Sequence, residues 1–243
     1  MKTCQEWLLG FNQGYDNITS HRAPGLNAYE ISCFLTDAQE VIVMGLYNGS
    51  LGKPFEAEED VSNFLAPLMR QAVMVEVTDG NLTKISESSH IFTLPSGSDE
   101  ILFKTLEIAS VESDCNSSSS VPAIIVPVTQ DEYWRTIRNP FKTCNANRVL
   151  RMTYPSHSST DEYGRLSVQK YTELISDRPI SNYTVFYITR PEPIIVEDLK
   201  ESEASDGLTI NGKWQAQPCL LDDALHQAIL SEAIRMAKAV WQS

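Results

Sequence analysis

Near the start of the chain, apolar residues recur every three or four positions. Trp7, Leu8, Phe11, Tyr15 and Ile18 follow Thr3 and Glu6, which stand at capping-box spacing, so residues 4–18 are expected to form an amphipathic helix, weakened by Gly10 and Gly14. A turn at Pro24 and Gly25 comes next, and Asn27 with Glu30 offers a second cap. The stripe Ile31, Phe34, Leu35, Ala38, Val41, Ile42, Leu46 predicts a long helix ending near Asn48 and Gly49. A third helix is expected over 57–71, with Val61, Phe64, Leu65 and Leu68 inward and Pro67 ending or kinking it.

From Ala72 the period changes. Short β-branched runs, "VMVEV", "HIFTL", "ILFKTLEIASVE" and "AIIVPV", alternate with Gly, Ser, Asn and Pro clusters and read as strands. "SDCNSSSS" is expected to be a loop tip, and "TQDEYWRTIRNPF" a short helix capped by Thr129 with Glu132 and stopped at Asn139 and Pro140. Strands resume with "NRVLRMTY", "RLSVQKYTELI" and "NYTVFYITRP", while the prolines of "PEPIIVEDL" suit an edge or an arm.

The last segment, "LLDDALHQAILSEAIRMAKAVW", is helical. At about 100° per residue its apolar residues, with His226 among them, fill half the circumference, wider than one helix–helix seam requires. It is therefore expected to pack on several neighbours, which the three N-terminal helices would supply. The fold class read from this order is α+β: a helical bundle from residues 1–71 plus 220–243, with an inserted antiparallel β-rich region over 72–219.

Composition narrows the functional classes. Lys and Arg number 19 against 32 Asp and Glu, a net charge of −13, and phosphate binding draws on surface cations. Wrapping nucleic acid is disfavoured, while lining a passage through which DNA slides is not. The opening residues are too polar for a signal peptide, and no apolar run approaches the roughly 18 residues of a membrane span. A soluble protein made in a cytoplasm is expected. The five cysteines are scattered and never spaced as CxxC, which suggests reduced thiols and neither a zinc site nor a disulfide framework.

Candidate chemistry is sparse. Asp222 and Asp223 belong to the first turn of the last helix, where carboxylates meet unpaired amides. His226, alone in an apolar half-circle, reads as a buried or interface histidine with a satisfied hydrogen bond; His21, His90 and His157 have no ligand-spaced partners for a metal. "GSLGK" lacks the preceding strand and the hydroxyl of a phosphate loop. "HSSTDEYGR" gathers His, Ser and Asp in what reads as a hairpin loop, and Cys144 with His157 would meet only by accident of folding. A small hydrolase using His157 or His226 is the least favoured reading. No catalytic residue, cofactor or metal is expected.

"YWRTIRNPFKTCNANRVLR" is the one basic and aromatic stretch. Aromatics with arginines are enriched at protein interfaces, so Tyr133, Trp134, Arg135, Arg138, Arg148 and Arg151, together with His226, form the candidate partner interface. Intramolecular ion pairing and nucleic-acid contact are the alternatives for the arginines.

Four stretches, "FNQGYDNITSHRAPGLNAYEISCFLTDAQEVIV", "YWRTIRNPFKTCNANRVLRM", "ELISDRPISNYTVFYITRPEPIIVEDL" and "LHQAILSEAIRMAKA", resemble in order the head-to-tail connector virion proteins of crAss-like tailed phages of Bacteroidales. The resemblance implies a ring or adaptor protein beneath the portal, at the head-to-tail junction of a virion assembled in a bacterial host. It implies twelve copies matching the portal, contacts with the portal and other connector or tail proteins, DNA passing without specific binding, no membrane and no cofactor. The alternative within that setting is a tail or fibre attachment module with a β-rich recognition region.

Overall fold

The computed structural model describes residues 2–16, 25–50, 59–78, 82–113, 116–145, 147–160, 166–200 and 207–242. Its contacts divide the chain into two compact units, residues 1–69 with 190–243, and residues 70–189.

The first unit holds α1 (Cys4–Asp16), α2 (Ala28–Asn48), α3 (Glu59–Leu65) and α5 (Asp223–Gln242). Local chemistry sets the helix ends. The Glu6 amide donates to Thr3 Oγ1 at 3.3 Å while Thr3 N donates to Glu6 Oε2 at 2.7 Å. Asn27 and Glu30 make the same reciprocal pair before α2, at 2.8 and 2.9 Å. Gly49, at φ 74°, closes α2 in the left-handed conformation that glycine adopts without steric cost. Pro67 stops the third helix early: α3 ends at Leu65 and a 3₁₀ turn covers Ala66–Leu68, short of the expected extent. The expected Ile18 of α1 lies outside the described residues.

α5 packs on α1 and α2, burying Leu225, His226, Ile229, Leu230, Ala233 and Ala237. α1 approaches closely because it presents glycine: a Cβ on Gly10 would lie 3.1 Å from Leu230 Cδ2, and one on Gly14 2.3 Å from Ile234 Cδ1. The arm after residue 190 lies along α2. Ser32 and Thr36, hydroxyls within the helix, accept from the amides of Val196 and Ile194 at 3.1 and 3.2 Å. Gln39 donates to the Glu192 carbonyl, and Arg190 grips Glu40 with two bonds of 2.7 and 3.1 Å. Ile195 and Leu199 are thereby buried with Ile210, Tyr29, Cys33 and Trp214. Asn211 and Gly212, both at positive φ, turn the chain between Ile210 and Lys213, whose backbones exchange both hydrogen bonds.

The second unit is an eight-stranded sheet: β1 (Met69–Val73), β2 (Val75–Glu76), β3 (Ser89–Thr93), β4 (Ile101–Ser113), β5 (Asn116–Pro127), β6 (Arg148–Thr160), β7 (Leu166–Ile175) and β8 (Ile180–Thr189). The order is β1-β8-β4-β5-β6-β7-β3-β2. The edge strands β1 and β2 are consecutive in sequence, joined through Met74, so the sheet curls nearly into a barrel. Contacts between strands distant in the sheet follow from that curl. Phe92 of β3 meets Tyr183 of β8 at 5.2 Å between ring centroids, and Lys104 of β4 donates to Thr172 of β7 at 3.1 Å. Val111, Ala109, Val149, Leu174, Tyr183 and Val185 fill the interior.

This architecture corrects the expected fold class. The dominant element is a mixed, nearly closed barrel-like sheet with few helices, and it is not a helical bundle carrying an antiparallel insertion. β5 and β6 run parallel, Ile125 opposite Val149. Parallel neighbours need a crossover of a dozen or more residues, and α4 (Gln130–Arg138) with its flanking turns supplies it. The serine run is also corrected: residues 116–120 belong to β5, and only residues 114 and 115 of that stretch fall outside the described residues.

Candidate partner-contact site

α4 lies against the outer face of β6 and β7. Asp131 and Glu132 stand in its first turn and Arg135 and Arg138 in its last, the charge order that suits the helix dipole. The Thr129 hydroxyl makes no cap bond; its carbonyl receives the amides of Glu132 and Tyr133, both at 3.1 Å. Tyr133 is the helix's anchor, buried with Val128, Leu150, Met152 and Ile175. Burial raises the phenol's pKa, an effect opposed by a hydrogen bond with Ser86. Trp134 meets Tyr133 edge-on at 5.1 Å and stays 62% exposed, and Phe141 beyond the helix is 85% exposed. Arg148 does not project freely: it donates to the Phe141 carbonyl at 2.5 Å and pins the segment that follows α4.

Arg151, one residue beyond buried Leu150, points to the barrel interior. Its Nη1 lies 3.2 Å from Glu107 Oε2. Lys104 donates to Glu107 Oε1 at 3.0 Å, and the Tyr183 hydroxyl to the same oxygen at 2.5 Å. Two cations and a phenol thus satisfy one carboxylate, as charged groups removed from water require. Burial lowers the pKa of Lys104, an effect that Glu107 opposes, and raises that of Tyr183 far above the usual phenol range, which Glu107 reinforces.

Between α4 and the sheet lies an open cavity of about 420 Å³, walled by Ile85, Tyr133, Trp134, Met152, Tyr154 and Glu173. Glu173 is 1% exposed. Its Oε1 accepts from Ser89 Oγ at 2.6 Å and from the Ile85 amide at 2.9 Å, while its Oε2 has no hydrogen-bond partner. Tyr154 donates to the Thr83 carbonyl at 3.1 Å. No lysine or arginine stands among the cavity's described lining residues. Sequence reasoning passed over Glu173, although its position carried a signal. It shares a strand face with Tyr171 and Ile175, so a carboxylate interrupts what would otherwise be an apolar line.

His226 belongs to the other unit. Its ring is 2% exposed and stands 5.1 Å from that of Trp7, with Nε2 at 3.1 Å from the Leu221 carbonyl and Nδ1 at 3.4 Å from Asp223 Oδ1. Asp222 caps α5 by accepting the Ala224 amide at 2.8 Å. His157 falls in β6 opposite Gln169, not in a loop, and the tip of that hairpin lies outside the described residues. His90 pairs with Glu76 at 2.7 Å. Cys4, Cys33, Cys144 and Cys219 are free thiols. Among the described residues no group of three or more His, Cys, Asp or Glu could hold a metal, and no helix is long and apolar enough to cross a membrane.

Comparison with known proteins adds the biological setting. A family model described as phage tail ring protein 3/4 matches residues 2–243. Ring protein 3 of Bacteroides phage crAss001 is 33% identical over 216 residues, covering 87% of this chain and 84% of that protein. Ring protein 4/5 of the same phage is 31% identical over 240 residues, covering 98% and 92%.

Proposed function

The chain belongs to the phage tail ring protein 3/4 family, and on that premise we propose that it forms a ring in the head-to-tail connector beneath the portal, joining capsid to tail around the DNA conduit. The observation that carries this reading is the extent of the match: the family model and a relative named as a ring protein each span nearly the whole chain. The role is structural and non-catalytic, with twelve copies in register with the portal. The charge of −13 suits the conduit, because acidic walls repel a polyanion and let it pass without sticking. Trp134, Arg135 and Arg138, exposed on α4, are the contacts offered to neighbouring protein. Tyr133 and Arg148 hold that surface in place, and Arg151 and His226 act from within their own units.

A reconstruction of the phage particle by cryo-electron microscopy tests the proposal. It should show this chain as a closed ring of twelve copies in the connector beneath the portal. A particle with no such ring, or with the chain at the tail tip, overturns it.

A further inference from the structure

We propose that the cavity beneath α4 receives an arginine side chain from the last turn of α4, Arg135 or Arg138, of a second copy of this chain. Three observations converge on a cation as the occupant. The cavity is bordered by Glu173, a buried carboxylate whose Oε2, closed off behind the wall, has no hydrogen-bond partner, and such a group is costly to leave unpaired, so a cation that shifts the wall slightly gains by reaching it. Its walls are aromatic and apolar, with Tyr133, Trp134, Tyr154 and Met152 placed to flank a planar group or an aliphatic stem. Its volume of about 420 Å³ falls within the range of sites that enclose one small ligand.

The chain carries a matching donor. Arg135 and Arg138 are exposed and make no ion pair among the described residues. At 100° per residue Arg135 and Arg138 stand about 140–160° around α4 from Tyr133 and about 80–140° from Gln130, on the flank away from these cavity-lining residues, while Trp134, about 40–100° from the arginines, lies between the two patches. Receptor and donor are therefore distinct patches of one protomer. That is the condition for a head-to-tail contact, which generates a closed ring when its rotation closes. The choice of a second copy as donor rests on the ring reading; the chemistry of the cavity does not.

The test uses the full chain, isotopically labelled, and an unlabelled synthetic peptide of residues 130–142. The readout is the indole N–H signal of Trp134, identified by its loss in W134F. The peptide should shift this signal saturably. A counterpart with citrulline at both arginine positions should bind about five-fold more weakly or worse, since hydrogen bonds between charged groups are about twice as strong as neutral ones. E173Q should reduce binding of the arginine peptide to the citrulline level. Q130K, which places a cation at the cavity wall on an exposed position, should do the same if E173Q does not fold. Equal binding of the two peptides, or full binding by E173Q or Q130K, overturns the proposal. So does a response to acetyl-arginine methylamide that the peptide fails to exceed, because the arginine would then come from elsewhere. A particle lacking the ring overturns the connector reading without altering the titration, and a flat titration overturns the cavity's role without altering the ring.

Discussion

His226 is held by an oxygen that can only accept: the Leu221 carbonyl lies 3.1 Å from Nε2, so this nitrogen carries the hydrogen. His226→Leu keeps the bulk against Trp7 and strips that carbonyl of its donor. The expected cost is about 1–2 kcal/mol in urea unfolding, and His226→Gln, which still donates, should lose less. Cys219 makes a second residue-scale case. Burial, reinforced by Asp223 and opposed by a bond from the Leu221 amide, pushes its thiol from 9.0 to about 11. The unfolded chain releases the proton first as pH rises, so the native state binds more protons between those values. The contribution is fully present below pH 9 and is lost on approach to pH 11, up to roughly 3 kcal/mol at about 1.4 kcal/mol per pH unit. Unfolding free energies of the wild type and Cys219→Ala should therefore converge over that interval. A constant difference would show that the thiol's protonation is not linked to folding.

Among the elements, the α1–α5 contact depends on what α1 lacks. Gly14→Val would drive branched carbons into Ile234 and should destabilise by about 1–3 kcal/mol. Ile234→Ala clears the space, so the double variant should be more stable than the sum of the single losses predicts, a non-additivity that a thermal or urea double-mutant cycle measures. Helix ends were legible in the sequence mostly where their chemistry is local: Thr3 with Glu6, Asn27 with Glu30, and Pro67 each act within a few residues, whereas Thr129, at the same spacing from Glu132, starts α4 without a side-chain cap. Strand pairing was not. The parallel partnership of β5 with β6 depends on α4 serving as a crossover, and the alternation within each strand is silent about its neighbour. The alternation along β7 marked Glu173 as the odd residue of its face, but its place beside Ser89 and near Tyr133 comes only from pairing. The basic and aromatic stretch was legible as composition. Which arginines face solvent followed from the pleat, which turns Arg151 inward beside the outward Leu150.

For the molecule as a whole, the sequence suggested helices as the frame because they come first and last in the chain. The sheet dominates instead because the short edge strands β1 and β2, which the run "VMVEV" marks without showing their place at the sheet's two edges, join through Met74 and let the other six strands curl into one core. The chain enters that sheet on β1 and leaves it on β8, and these two strands are neighbours. Residues 70–189 expressed alone should therefore fold, with a cooperative thermal transition and a β-type circular dichroism spectrum; an unstructured product would contradict this. A segment whose two ends emerge side by side can be lost, gained or exchanged without pulling its host apart. The sheet is thus a separable cassette: an exchange between two chains of this family can replace it whole while the helices stay as they are.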